Sequence, residues 1–150
     1  MSRADQAWET FQGPYNCTQS VFAAFAPGLG LEREAALRVA SGLGGGVGCL
    51  GSEVCGAVSG AVLAIGLSRA YLPEDRAARE ATYALVREFA RRFRVLHGHL
   101  RCRDLLGLDI GTPEGRQAAL DSGLHDILCP RLVRDAAAIV EELLALQADN

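Results

Sequence analysis

The segment 53–71, near the middle of the chain, constrains the fold most because its residues are almost all apolar or small. Ser52 is a good N-cap for a helix that begins there. A helix that is apolar on every side has no face to present to water, so it has to lie at the centre of a domain. Gly56 and Gly60, four residues apart, would let a neighbouring helix approach it closely. The rest of the chain is therefore expected to wrap around this helix.

Helical patterns also dominate the remainder of the 150 residues, and no segment shows sustained two-residue alternation. Caps, breakers and apolar spacing predict further helices over residues 2–11, 17–25, 32–41, 73–96, 102–106, 113–123 and 130–147. Apolar residues make up 49% of the chain and charged residues 22%, which is typical of one globular domain. We therefore expect a single all-α domain over residues 1–150, a bundle of about five to seven helices around the Gly/Ala-rich central helix.

The charge distribution excludes several classes of partner. The net charge is −3 at pH 7, so no basic surface for nucleic acid is expected. The longest uncharged runs are shorter than the roughly 18 residues that span a bilayer, so no membrane insertion is expected either. The first residues contain charges and lack the apolar core of a signal peptide, which favours a cytoplasmic protein.

Five cysteines in such a chain favour metal, redox or catalytic roles over a structural disulfide framework. No two of them have the C-x-x-C spacing, so their positions are more informative than their spacing. Four of them fall at predicted helix N-termini, where free N–H groups and the helix dipole favour the thiolate. For the last of the four the helix start is inferred from the proline that follows, although a start soon after Ser122 is the alternative. These four are Cys17, Cys55, Cys102 and Cys129.

A run rich in glycine precedes the second of these cysteines, with six glycines between residues 42 and 51. Such a run can bend so that its N–H groups form a nest for anionic sulfur. Gly56 and Gly60 would in turn let backbone or a cluster come close to Cys55, and a tight crossing of two helices is the alternative explanation for them. Cys49 lies within the run, and the sequence leaves its role open.

The cysteine motifs of the chain resemble those of a known family. Asn16-Cys17-Thr18-Gln19 resembles the family's opening motif, with Thr where Ala is usual. The segment 55–60, CGAVSG, matches the central signature, and Cys102 and Cys129 match the third and fourth cysteine positions. The pattern is that of the C_GCAxxG_C_C family, whose members are described as redox-active. The resemblance implies that Cys17, Cys55, Cys102 and Cys129 are the functional set, and that Cys49 is outside it.

The first hypothesis is that these four thiolates converge and bind an iron–sulfur cluster, most simply [2Fe–2S], for electron transfer or redox sensing. The second is metal-free thiol–disulfide chemistry, an oxidoreductase activity with Cys55 as the nucleophile and Cys17 as its partner. The third is a structural Cys₄ zinc site in a non-catalytic domain. Each redox hypothesis requires an unidentified redox partner, and the apolar central helix is compatible with a homodimer core as well as a monomer core.

Overall fold

The structure, a computed structural model, describes residues 1–148, and within them the all-α expectation is confirmed. Besides one 3-10 turn (Ala26–Leu29) and the single-turn element α4 (Gly44–Val47), eight helices form the domain, slightly more than expected. Within the described residues, β-pairing is limited to one isolated antiparallel bridge between Val54 and Arg101. The eight helices are α1 (Arg3–Phe11), α2 (Cys17–Phe25), α3 (Arg33–Ala40), α5 (Gly56–Arg69), α6 (Arg76–His97), α7 (Cys102–Leu106), α8 (Pro113–Asp121) and α9 (Leu124–Ala148).

The predicted central helix is α5, which packs against α2, α6 and α9. Every residue of its first turn and a half is buried, as the apolar sequence indicated, whereas its C-terminal half is partly exposed. Its start differs from the expectation, because Cys55 itself occupies the N-cap position and α5 begins at Gly56. The cysteine of the central signature therefore lies at the helix terminus and not within its first turn.

The tightest crossing in the fold joins α5 to α2, and two glycines make it possible. A Cβ on Gly60 would lie 2.8 Å from the carbonyl oxygen of Thr18, and a Cβ on Gly56 would lie 2.8 Å from its Oγ1. Thr18 is fully buried, and its hydroxyl forms a 3.0 Å hydrogen bond with the hydroxyl of Ser59. The tight crossing of two helices is therefore confirmed, and it also brings α5 against Cys17.

The outer helix α6 is amphipathic, and its apolar stripe faces the core through Leu85, Phe89 and Phe93. Asp75 caps its start by accepting a hydrogen bond from the N–H of Ala78, and Gly98 ends it in a left-handed conformation. No helix within residues 1–148 combines the length and the apolar character that crossing a membrane requires.

The last helix begins earlier than predicted. Gly123 turns the chain with a φ of +73°, and its carbonyl oxygen accepts hydrogen bonds from the N–H groups of Asp126 and Ile127. Helix α9 therefore starts at Leu124 and contains Pro130 in its interior. The prediction that Cys129 caps a helix is wrong, because the thiol lies more than one turn inside α9.

Candidate functional site

All five cysteines line one cavity, although they come from distant parts of the chain. The cavity has a volume of about 330 Å³. Cys17 is the first residue of α2, Cys55 precedes α5 and Cys102 is the first residue of α7. Cys129 reaches the cavity from α9, and Cys49 from the segment that follows α4. The structure thus brings together the four cysteines that the sequence singled out and adds the fifth.

Two antiparallel segments hold Cys55 and Cys102 beside each other. The N–H of Cys55 donates to the carbonyl of Leu100 at 2.8 Å, and the N–H of Cys102 donates to the carbonyl of Glu53 at 3.0 Å. These bonds flank the bridge between Val54 and Arg101. Because each cysteine begins or precedes a helix, the bridge places the N-termini of α5 and α7 at the same cavity.

The glycine run forms an unusual wall of this cavity. Residues 45–49 all have positive φ values, between 57° and 66°, and so form a left-handed helical turn. Three of the five are glycines, for which this conformation carries little strain, but Val47 and Cys49 are not. A Cβ on Gly46 would lie 2.6 Å from the Cβ of Cys102, so only glycine allows the wall to approach so closely. A backbone hydrogen bond from Gly45 in this turn lowers the pKa of Cys17, whereas a nest of several N–H groups around a sulfur stays a prediction.

Cys17 is the thiol that this environment ionises most readily. A hydrogen bond from the Cys55 thiol is the largest cause that lowers the pKa of Cys17, and it outweighs the opposing effect of burial. Backbone hydrogen bonds from Gly45, from Cys17 itself and from Gly56 add to it, and together they lower the pKa to about 7. Gly56 opens α5, so the sulfur of Cys17 is stabilised by the ends of two helices.

The pKa values of the other three thiols of the set are raised, opposite to the direction expected for a helix N-terminus. The pKa of Cys55 is raised, because its thiol donates to Cys17, it is buried and it lies next to the Cys17 charge. Burial raises the pKa of Cys102 to about 11 and that of Cys129 to about 12, and the charge of Cys17 contributes to both. One apolar cavity stabilises one thiolate far better than several.

Most of the remaining cavity wall is apolar, which the sequence did not predict. Leu105, Leu106 and Ile110, in and after α7, form one side of it, and Phe11 and Leu132 also line it. Its polar lining residues are Asn16, Ser41, Arg116 and His125. Within residues 1–148, no group of three or more His, Cys, Asp or Glu side chains is arranged to hold a metal ion. The five sulfurs therefore share a cavity without forming a preassembled ligand set.

Two residues that contribute to this site were missed or left open by sequence reasoning. Thr18 departs from the motif and looked inconsequential, yet its hydrogen bond to Ser59 ties α2 to α5 one residue after Cys17. Cys49 is exposed at the cavity and is the last residue of the left-handed turn. Its position within the glycine run was the signal that connected it with the site.

The fold and this cavity define an all-helical domain whose site is a cluster of thiols, one of them poised to ionise near neutral pH. A family model described as "Putative redox-active protein (C_GCAxxG_C_C)" matches residues 15–143, which is most of the chain. The chain belongs to this redox-active family. No curated protein and no solved structure gives a significant match.

Proposed function

We propose that the protein is a thiol–disulfide redox protein in which Cys17 attacks a disulfide and Cys55 resolves the product. One observation carries the proposal: Cys17 and Cys55 meet at one cavity, where a Cβ on Gly56, next to Cys55, would lie 3.1 Å from the sulfur of Cys17. The Cys55 thiol is also the largest cause that lowers the pKa of Cys17 to about 7. A thiol that ionises near ambient pH combines a large thiolate fraction with good nucleophilicity. The partner that resolves a mixed disulfide has to lie in contact with it, and Cys55 does.

The reaction follows from this arrangement. The Cys17 thiolate attacks one sulfur of a disulfide substrate, the substrate's S–S bond breaks, and one thiolate leaves and takes up a proton. Cys55 then loses its proton and attacks the sulfur of Cys17 in the mixed disulfide, which releases the second thiol. The protein dithiol is oxidised to a Cys17–Cys55 disulfide, and the substrate disulfide is reduced to two thiols.

The scaffold supports this pairing because the two cysteines begin helices that cross tightly. A Cβ on Gly56, the neighbour of Cys55, would lie 3.0 Å from the Cβ of Cys17, so the two backbones are close. Disulfides need Cα atoms within about 7 Å of each other. The Thr18–Ser59 hydrogen bond fixes the same crossing from the buried side.

The test is peptide mapping of the reduced protein after mild oxidation with diamide, without reductant in the digest. We expect a peptide pair cross-linked through Cys17 and Cys55 and a loss of two hydrogens from the intact mass. Cys55→Ser should abolish that cross-link, whereas the matched variant Cys129→Ser should keep it. A first disulfide that omits Cys17 would refute the assignment.

A second candidate function is supported by a different observation, the convergence of Cys17, Cys55, Cys102 and Cys129 on one cavity. Four thiolates are the ligand set of an iron–sulfur cluster, which supplies one-electron chemistry when bound. Binding would require the sulfurs to move together, since they do not form a metal-ligating group in the described residues. It would also require Cys102 and Cys129 to ionise against their raised pKa values.

Cys102→Ser separates the two functions, because a cluster needs this thiol and the Cys17–Cys55 pair does not. Iron and sulfide in protein purified without oxygen, lost in Cys102→Ser, would favour the cluster. Stoichiometric zinc without iron would instead indicate a structural Cys₄ site. If the wild type and Cys102→Ser are both metal-free and both form the Cys17–Cys55 disulfide, the result supports the thiol–disulfide function.

A further inference from the structure

The Cys17–Cys55 pair lines a cavity whose walls are mostly apolar. Cys55 is 4% exposed, and Cys17 is partly buried at the same cavity. The cavity has a volume of about 330 Å³, at the lower end of small-molecule pockets. Attack on a disulfide requires the attacking sulfur to touch the substrate sulfur. The space is therefore sized for a small molecule, whereas a disulfide fixed in the surface of a folded protein would have to bring its surrounding chain into it.

The chemistry of the walls restricts the substrate further. The side of the cavity formed by Leu105, Leu106 and Ile110 offers no hydrogen-bonding side chain. Only Arg116 carries a fixed charge among the lining residues, and it is exposed. The polar lining residues Asn16, Ser41 and His125 are partly or fully exposed. A charged group that enters between the apolar side chains would therefore lose its hydration without a buried side chain of opposite charge beside it, which is costly.

We propose that the substrate of the Cys17–Cys55 pair is a small apolar disulfide that binds inside this cavity, and not a protein disulfide or a charged peptide disulfide. This inference rests on the proposed function. In the reaction, the Cys17 thiolate attacks one sulfur of the bound disulfide, and an apolar thiolate leaves and is protonated by water. Cys55 gives up its proton and closes the protein disulfide, and the second apolar thiol leaves. Two apolar thiols form for each protein disulfide.

The experiment measures the rate at which three disulfides oxidise the reduced protein. Diethyl disulfide and dithiodiglycolate have chains of similar length, but the second carries two carboxylates, and glutathione disulfide is both charged and large. Each rate is divided by the rate at which the same disulfide reacts with 2-mercaptoethanol. This ratio corrects for differences in intrinsic reactivity among the three disulfides. We expect diethyl disulfide to be preferred over both others by on the order of a hundredfold, because burying a carboxylate costs several kcal/mol.

A cavity-filling variant tests the location. Ala119 lines the cavity and Ala118 does not, although both lie on α8, so Ala119→Leu and Ala118→Leu form a matched pair. We expect the first to slow the reaction with diethyl disulfide by roughly tenfold or more, and the second to leave it unchanged. If Ala119→Leu does not fold, Leu120→Trp replaces it at a lining position that is 59% exposed.

The outcomes separate the inference from the function on which it rests. Equal rates, or a preference for dithiodiglycolate or glutathione disulfide, overturn the inference. So does a Cys17–Cys55 disulfide that forms with diamide but with none of the small disulfides, and in that case the proposed function survives. If no oxidant forms that disulfide, the proposed function falls and the inference falls with it.

Discussion

Replacing Cys55 by alanine should raise the pKa of Cys17, because it removes the hydrogen bond that lowers this pKa most. The pKa of Cys17 is about 7, against 9.0 for an unperturbed thiol, and each pKa unit corresponds to about 1.4 kcal/mol. The environment therefore stabilises the thiolate by about 3 kcal/mol. A hydrogen bond to a charged group contributes about 1.5–3 kcal/mol. Its loss should bring the pKa of Cys17 to about 8–9.

The assay is the alkylation of Cys17 by iodoacetamide, followed peptide by peptide from about pH 5 to about pH 10. At pH 7 the thiolate fraction should fall from about one half to a tenth or less, so alkylation should slow by roughly fivefold or more. Cys55→Ser is the matched control, because its hydroxyl can still donate and should keep the midpoint near 7. A wild-type midpoint close to that of a free thiol would refute the reasoning, as would an unchanged midpoint in Cys55→Ala.

Three further predictions concern stability. Gly60→Ala should destabilise the fold by roughly 1–3 kcal/mol in urea unfolding, since the new Cβ meets the backbone of Thr18, whereas Gly66→Ala, which meets nothing within 4 Å, should be neutral or stabilising. In the reduced protein, ionised Cys17 should add up to about 3 kcal/mol to the free energy of unfolding above pH 9.0, and this contribution is lost as the pH falls through about 7. Urea unfolding across this pH range should show the gain in the wild type relative to Cys17→Ser. Val47→Gly should raise the melting temperature, because glycine adopts the φ of 57° at this position of the left-handed turn with little strain. A lower melting temperature would contradict the inference that Val47 is strained.

The helices could be predicted because their signals are local. Asn16 caps α2 with a hydrogen bond from the N–H of Gln19, and the side chain of Gln19 returns one to the N–H of Asn16, a capping box visible in the sequence. The central position of α5 followed from its composition. The start of α9 was placed at Pro130 because proline favours a first turn, but the structure has the alternative start soon after Ser122, where Gly123 turns the chain.

The chemistry of the site was harder to predict, because it depends on contacts between distant segments. A helix N-terminus favours a thiolate at Cys17, Cys55 and Cys102 alike when each is considered alone. In the cavity these thiols compete, since one charge raises the pKa of its neighbours and burial penalises every further charge. The sequence likewise predicted a bend in the glycine run, but it did not predict that this bend is a left-handed turn or that it donates to Cys17.

The same competition gives the pair an order of reaction. Two of the causes that raise the pKa of Cys55 come from Cys17, namely the hydrogen bond to its sulfur and its negative charge. When Cys17 enters a mixed disulfide, its charge leaves with the departing thiolate, and both causes disappear. The pKa of Cys55 should then fall at the moment when it has to attack. Before that moment its proton is useful, because it stabilises the Cys17 thiolate. The contact that holds Cys55 protonated in the resting protein thus makes its activation depend on the first step of the reaction.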